Sequence, residues 1–119
     1  MWRTEEGISN SAGNLILHII GNLRAFISIP LANISYMRER ELEFCQKNIS
    51  KIWLLENIDI AAEEIKTAFN NIDDSLSDED YLFLIGPNQF TYHLALVHLY
   101  GHLSYHLGQI NYYRRLLDK

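Results

Sequence analysis

The chain has 119 residues and a formal net charge of −5, and 48% of its residues are hydrophobic while 21% are charged. This length and composition are typical of a soluble globular protein, so we expect residues 1–119 to form a single domain. The acidic balance provides no basic patch that would neutralise phosphates, which argues against a nucleic-acid partner.

The sequence also gives expectations about the compartment. No apolar run reaches the roughly 20 residues that span a bilayer, and residues 1–7 lack the basic and apolar regions of a signal peptide. The single cysteine cannot form an internal disulfide, which favours a reducing environment. We therefore expect a cytoplasmic protein that does not associate with membranes.

The first predicted helix begins among the good N-cap residues at positions 9–11 and ends at Pro30, since proline disfavours helix in the residue before it. Its apolar positions follow the spacing of an amphipathic helix: Ala12, Leu15, Ile16, Ile19, Leu23, Phe26 and Ile27. A row of small or polar residues lies along one edge of that face: Ser11, Asn14, His18, Asn22 and Ala25. A helical bundle with a polar pocket would need such an edge.

The middle of the chain contains a second strong helix. Residues 31–49 are mostly a connection, in which 37–44 could form a short helix with Leu42 and Phe44 partly buried. The strong helix runs from about 50, where serine is the cap, to about 70. Its apolar residues lie near one face: Ile52, Leu55, Ile58, Ala61, Ala62, Ile65 and Phe69. The acidic loop 73–80 and the breaker pair at 86–87 follow it.

The last predicted helix runs from about Asn88 to Leu117. Its apolar face comprises Leu96, Tyr100, Leu103, Leu107 and Ile110, and a polar row lies beside that face: His98, His102, His106 and Gln109. Gly101 and Gly108 each cost roughly 1 kcal/mol of helix propensity relative to alanine, which suggests the close approach of another backbone or a ligand. Three long helices, two long connections and no strand-like alternation predict an all-α bundle.

The histidines predict a metal site. Residues at i and i+4 of a helix have Cβ atoms about 5–6 Å apart, so His102 and His106 can share one ion. A lone pair would be explained equally well by neutral, hydrogen-bonded imidazoles. His18, in the polar row of a different helix, shifts the balance towards a metal. Three protein ligands and an open position are typical of a catalytic site, and imidazoles suit zinc, nickel and iron alike.

These residues carry a resemblance to a known family. Asn14 and His18 resemble the N-x-x-x-H element of the DinB-like superfamily, and residues 102–109 resemble its H-x-x-x-H-x-G-Q element. This superfamily includes the YfiT-type proteins and the bacillithiol and mycothiol S-transferases. The charged segment 38–44 is similar to the family's inter-helix connection. The resemblance implies an up-down-down-up four-helix bundle with one divalent metal ion bound by His18, His102 and His106.

The resemblance also implies a reaction and an assembly. We expect a thiol S-transferase whose substrates are a low-molecular-weight thiol and an electrophile, because a coordinated thiol is deprotonated. A hydrolase that activates water and a metal-binding or scaffold protein without catalysis remain alternatives. Family members begin with a further helix upstream of residues 2–7 that has no counterpart here. Because a large exposed apolar face is a liability in a monomer, we expect a homodimer.

Other side chains near the predicted centre receive individual interpretations. We expect His98 in the pocket wall and Asn14 near the metal, while Tyr105 and Gln109 could contact a substrate or ligand or could simply pack. His93 is expected at the surface or at a helix cap. Cys45 has no adjacent base in the sequence, so it is interpreted as a free structural thiol.

Overall fold

The computed structural model describes residues 1–117, which form an all-α fold as predicted. The helices are α1 (Ala12–Leu23), α2 (Ile29–Ala32), α3 (Arg40–Cys45), α4 (Lys51–Asn70) and α5 (Tyr92–Leu117). A π-helical segment, Arg24–Ser28, joins α1 to α2, and a 3-10 turn at Asp74–Leu76 follows α4. Within residues 1–117 the only β-type pairings are two isolated bridges.

Serine side chains fix the starts of α1 and α4. The hydroxyl of Ser11 accepts the backbone N–H of Asn14 at 3.2 Å, and that of Ser50 accepts the N–H of Trp53 at 3.1 Å. Each serine thus satisfies an amide group that the first helical turn leaves without a partner. Both predicted helix starts are confirmed.

The first helix does not end at Pro30, so that prediction is wrong. The N–H of Ile29 bonds to the carbonyl of Arg24, five residues earlier, and this wider π-helical turn leads the helix past the proline. The helix ends at Ala32 instead. Asn33 follows in the left-handed conformation with φ 55°, a common way for a helix to stop.

The hydrophobic core lies where the π segment and α2 meet the C-terminal part of α4 and the first half of α5. Its buried members are Ile27, Leu31, Ala68, Tyr81, Ile85, Tyr92, Ala95 and Leu99. Pro30 has no N–H to donate to the carbonyl of Phe26, and the buried Tyr81 hydroxyl donates to that carbonyl instead. The carbonyl that the proline leaves free therefore keeps a partner inside the core.

The last helix begins later than predicted, at Tyr92 rather than near Asn88. The Thr91 hydroxyl accepts a backbone N–H of the first turn at 3.2 Å and acts as the cap. The chain before it folds back in a tight turn at 86–87, which two backbone hydrogen bonds of 3.0 and 3.1 Å between Ile85 and Asn88 close. The first residues of the predicted helix therefore belong to this turn.

An open apolar groove runs over α1 between α4 and α5. It has a volume of about 250 Å³ and is lined by apolar side chains of all three helices: Ile16, Ile19, Ile20, Leu23, Ile58, Ala61, Ala62, Ile65, Leu103, Leu107 and Ile110. α1 packs against α3, α4 and α5. The groove therefore marks the side on which no further element covers α1 within the described part of the chain.

The predicted apolar faces of α4 and α5 are only partly buried. On α4, Ile52 and Leu55 are 70% and 51% exposed, whereas the side that packs inward carries Leu54, Ala61, Glu64 and Ala68. On α5, Tyr100 is 71% and Leu107 is 52% exposed, and the inward side carries Leu99. The apolar periodicity correctly predicts helices, but the faces it marks are only partly directed at the core: Ala61 is buried, while Ile52, Leu55 and Tyr100 are exposed.

The stretch Ala12–Ala32 is long and apolar enough, by length and composition alone, to cross a membrane. The sequence-based expectation that no segment meets this criterion is therefore wrong. More than half of the stretch is buried inside the fold, and the central helix of a soluble protein has the same character. The fold is thus compatible with a soluble protein.

Candidate metal centre

Three histidines from two helices meet at one point. The Nε2 atom of His102 on α5 lies 3.1 Å from Nε2 of His18 on α1 and 3.2 Å from Nε2 of His106 on α5. The donor atoms of all three lie within 4.8 Å of one another. Two nitrogens bound to one tetrahedral zinc ion, at about 2.0–2.1 Å each, stand about 3.3 Å apart. The spacing of these nitrogens fits a shared ion.

Hydrogen-bond acceptors behind two of the rings determine which nitrogen faces the centre. Glu43 Oε1 lies 3.0 Å from Nδ1 of His18, and Gln109 Oε1 lies 2.7 Å from Nδ1 of His106. Because each oxygen accepts an N–H, the ring hydrogen resides on Nδ1 and the lone pair of Nε2 remains for a metal. Gln109, expected either to contact a ligand or substrate or to pack, thus contacts one of the three histidines.

The same arrangement is unfavourable without a cation. His102 Nε2 faces the lone pairs of two other imidazoles, and a single hydrogen on it can be donated to only one of them. A divalent ion accepts all three lone pairs at once. Three neutral imidazoles are a donor set that suits zinc, nickel or iron, so the residues present fit the predicted metal.

The environment keeps His102 in the neutral form. Burial lowers its pKa from 6.5 to about 4, and the nearby His106 and His18 add to this effect. An imidazole must be neutral to bind a metal. His102 is therefore ready to bind an ion at pH 7 without releasing a proton.

Glu43, on α3, is a buried carboxylate that sequence reasoning missed. Arg38 holds both of its oxygens, with Nε 2.8 Å from Oε2 and Nη2 2.9 Å from Oε1. Burial raises the pKa of Glu43, but the hydrogen bonds from His18 and Arg38 outweigh burial and hold this pKa below its ordinary value. The carboxylate is thus ionised and accepts the N–H of His18.

The short helix α3 exists where the sequence predicted it, but its burial differs from the prediction. Leu42 is 40% exposed, while the adjacent Glu43 is only 6% exposed. Phe44 is partly buried as expected, and its ring centroid lies 4.8 Å from that of His18. The buried face of α3 thus supports the histidine cluster.

Asn14 joins α1 to α3, and within residues 1–117 none of its side-chain hydrogen bonds goes to a histidine. Its Nδ2 donates to the backbone carbonyls of Glu43 at 3.0 Å and Gln46 at 2.8 Å. Its Oδ1 accepts the Ser11 hydroxyl and the Lys47 ammonium, both at 2.6 Å. Asn14 therefore fixes the position of α3, and with it the carboxylate behind His18.

Two other predicted residues lie at the margin of the cluster. His98 is exposed and stacks on Phe90, with 5.3 Å between ring centroids. Tyr105 is 65% exposed and meets the edge of His106 at 5.3 Å, so it is not a core residue. Within residues 1–117, neither is hydrogen-bonded to the three ligand candidates.

The remaining predicted positions lie on the surface. His93 is exposed as expected, and Cys45 is an exposed free thiol. A Cβ atom built at Gly101 or Gly108 would meet no atom within 4 Å. The close approach predicted at these glycines is therefore not made by any residue that the structure describes.

No protein-family model, no curated protein and no solved structure matches this chain. The functional argument consequently depends on the histidine cluster and the groups that orient it.

Proposed function

We propose that this protein is a metal-dependent enzyme of the DinB-like superfamily that transfers a low-molecular-weight thiol to an electrophile. One divalent ion would be held by His18, His102 and His106. The observation that supports the proposal most directly is the convergence of one ring nitrogen from each of three histidines within 4.8 Å. Glu43 and Gln109 hold two of these rings from behind. Three ligands from the protein leave a position for a substrate.

A divalent ion held by His18, His102 and His106 would supply the positive charge that favours the thiolate form of a coordinated thiol. The chain supplies orientation and charge balance. Glu43 and Gln109 hold two imidazoles with Nε2 pointing inwards. These rings therefore do not have to rotate when the metal ion binds. Arg38 balances the negative charge of Glu43.

The exposure of the cluster suits a small substrate. His18 is 5% exposed, while His102 and His106 are half-buried and reach the surface on one side. A low-molecular-weight thiol can approach from that side, and Tyr105 stands exposed beside it. This opening is sufficient for a small thiol.

Metal loading tests the centre itself. The protein, freed of metal with a chelator, is loaded separately with zinc, nickel and ferrous iron, and the bound metal per chain is measured. We expect about one equivalent for the wild type, much less for His102→Ala, and the wild-type value for His98→Ala, because His98 lies outside the cluster. Equal metal content in the wild type and His102→Ala would refute the three-histidine centre.

Thiol consumption tests the reaction. Cysteine and glutathione are offered to the metal-loaded protein with a haloaromatic or an epoxide as the electrophile. The transferase proposal expects thiol-dependent turnover that His102→Ala abolishes and His98→Ala retains. A metal-loaded wild type that consumes no thiol, but hydrolyses ester substrates, would replace this proposal with the hydrolase.

A further inference from the structure

His102 lacks the support that the other two histidines have. Glu43 stands behind Nδ1 of His18, and Gln109 stands behind Nδ1 of His106. The Nε2 atom of His102 faces the centre, so a metal bound there leaves the hydrogen on its Nδ1. Across residues 1–117, that Nδ1 has no hydrogen-bond partner.

Asn22 on α1 carries a buried acceptor without a donor among the described residues, whereas Nδ1 of His102 is not sealed from solvent. The side chain of Asn22 is only 8% exposed, and its Oδ1 atom is buried without a hydrogen-bond donor in the described part of the chain. Burying an acceptor without a donor costs stability, and such atoms in native proteins call for an explanation. Within residues 1–117, Asn22 Oδ1 on α1 is thus an acceptor without a donor, and the Nδ1–H of His102 on α5 is a donor without a protein acceptor.

The topology places the two groups at the same level. Residues four apart on a helix share a face, so Asn22 follows His18 by one turn along α1. His18 meets His102 at the cluster, and further along α1 Ile27 shares the core with Leu99. α1 and α5 therefore run in opposite directions, and Asn22, between His18 and Ile27 on α1, stands at the level of the α5 turn between Leu99 and His102.

We propose that Asn22 is the positioning residue of His102: in the metal-loaded protein its Oδ1 accepts the Nδ1–H of that ring. Asn22 would then do for His102 what Glu43 does for His18 and Gln109 does for His106. The inference depends on the proposed metal centre and names the third of its supports. Asn22 acts through the histidine and does not touch the ion.

Two substitutions separate this role from ordinary packing. Asn22→Leu keeps the size of the side chain and removes the acceptor, while Asn22→Asp keeps an acceptor at the same place. Ser28→Ala is the matched control, since Ser28 Oγ is the other buried polar atom without a partner among the described residues and lies in the π segment, away from the cluster. The affinity for cobalt(II) is measured by competition with a chelator, and thermal unfolding is measured on the metal-free proteins.

The proposal expects opposite effects on metal binding and on the metal-free fold. Asn22→Leu should bind cobalt about 10–100-fold more weakly, as losses of such supporting hydrogen bonds do. Its metal-free form should unfold at the same or a higher temperature, because an unsatisfied buried acceptor is gone. Asn22→Asp should bind at least as tightly as the wild type, and Ser28→Ala should keep the wild-type affinity.

Several results would overturn the inference. Wild-type affinity in Asn22→Leu would show that the amide does not support His102. If Asn22→Leu fails to fold, Asn22→Asp decides, since weakened binding there would also refute the role. A wild type that binds no cobalt would refute the metal centre itself, whereas normal wild-type binding with an unaffected Asn22→Leu would refute only the role of Asn22.

Discussion

Gly21 of α1 lies directly against the carboxylate of Glu43 on α3, so that a Cβ atom at position 21 would overlap Oε2 of the glutamate. No side chain larger than hydrogen fits there unless the carboxylate moves. Glu43 is held on its other sides by Arg38 and by His18. The glycine therefore allows an ionised acid to stand behind a buried histidine.

Replacing Gly21 with alanine should disturb both stability and metal binding. The displaced carboxylate loses its hydrogen bonds, so we expect Gly21→Ala to lower the free energy of unfolding by about 1–3 kcal/mol. Gly101→Ala is the control, because that helical glycine faces open space and alanine should raise stability by up to about 1 kcal/mol. Urea unfolding measures both variants. A Gly21→Ala protein as stable as Gly101→Ala would contradict the packing described here.

Removing the charge of Glu43 should weaken the metal centre without removing a ligand. Glu43→Gln keeps the shape of the side chain, but it leaves Arg38 without its carboxylate and His18 with a weaker acceptor. We expect the zinc affinity to fall by about 10–100-fold. Glu41→Gln, at an exposed position of the same helix, is the control and should bind zinc as the wild type does. Equal affinities for the two variants would show that the ion pair does not support the centre.

The metal-free protein should lose stability in mild acid through His102. Its pKa is about 4 in the folded chain and 6.5 in the absence of burial, so below pH 6.5 the unfolded chain binds a proton that the folded chain does not. The contribution of this residue to the free energy of unfolding therefore falls as the pH drops from 6.5 towards 4. Urea unfolding in the presence of a chelator, at several pH values, measures this loss. The dependence should be weaker in His102→Gln, and identical pH profiles would contradict the prediction.

The homodimer stays a prediction, and the groove provides its test. We expect light scattering to give the mass of two chains, since an open apolar groove of about 250 Å³ favours association. Leu107 lines the groove and Leu94 does not, yet both lie on α5 and both are 52% exposed. Leu107→Asp should therefore yield monomers, while Leu94→Asp should remain dimeric. A monomeric wild type would rule out this assembly.

Local patterns predicted the helices and the three histidines that cluster. Serine caps act on their own first turns, and the i, i+4 spacing of His102 and His106 is a property of one helix. The pairing of these residues with His18 could be expected only because His18 stands in a row of small and polar residues. These features depend on neighbours in sequence, which is why the sequence displays them.

The features that the sequence did not reveal depend on tertiary placement. Glu43 stands between two apolar residues of a short, charged helix, and nothing nearby in sequence indicates that it is buried against His18. The continuation of the helix past Pro30 depends on a π-helical turn and on the hydroxyl of Tyr81, which is distant in sequence. Likewise, the apolar row of α4 indicates a helix but does not tell whether another element covers it.

The π segment Arg24–Ser28 changes which side of the helical stretch 12–32 faces the interior. It holds roughly one residue more than an α-helical turn, and an extra residue rotates every later side chain by about 100° around the axis. The polar row that carries His18 therefore stops at Asn22, and Ile27 and Leu31 enter the core beyond the segment. The insertion thus separates the turns that carry the buried polar residues Asn14, His18 and Asn22 from the turns that place Ile27 and Leu31 in the core. Deleting one residue there would restore a regular helix but would turn Leu31 out of the core.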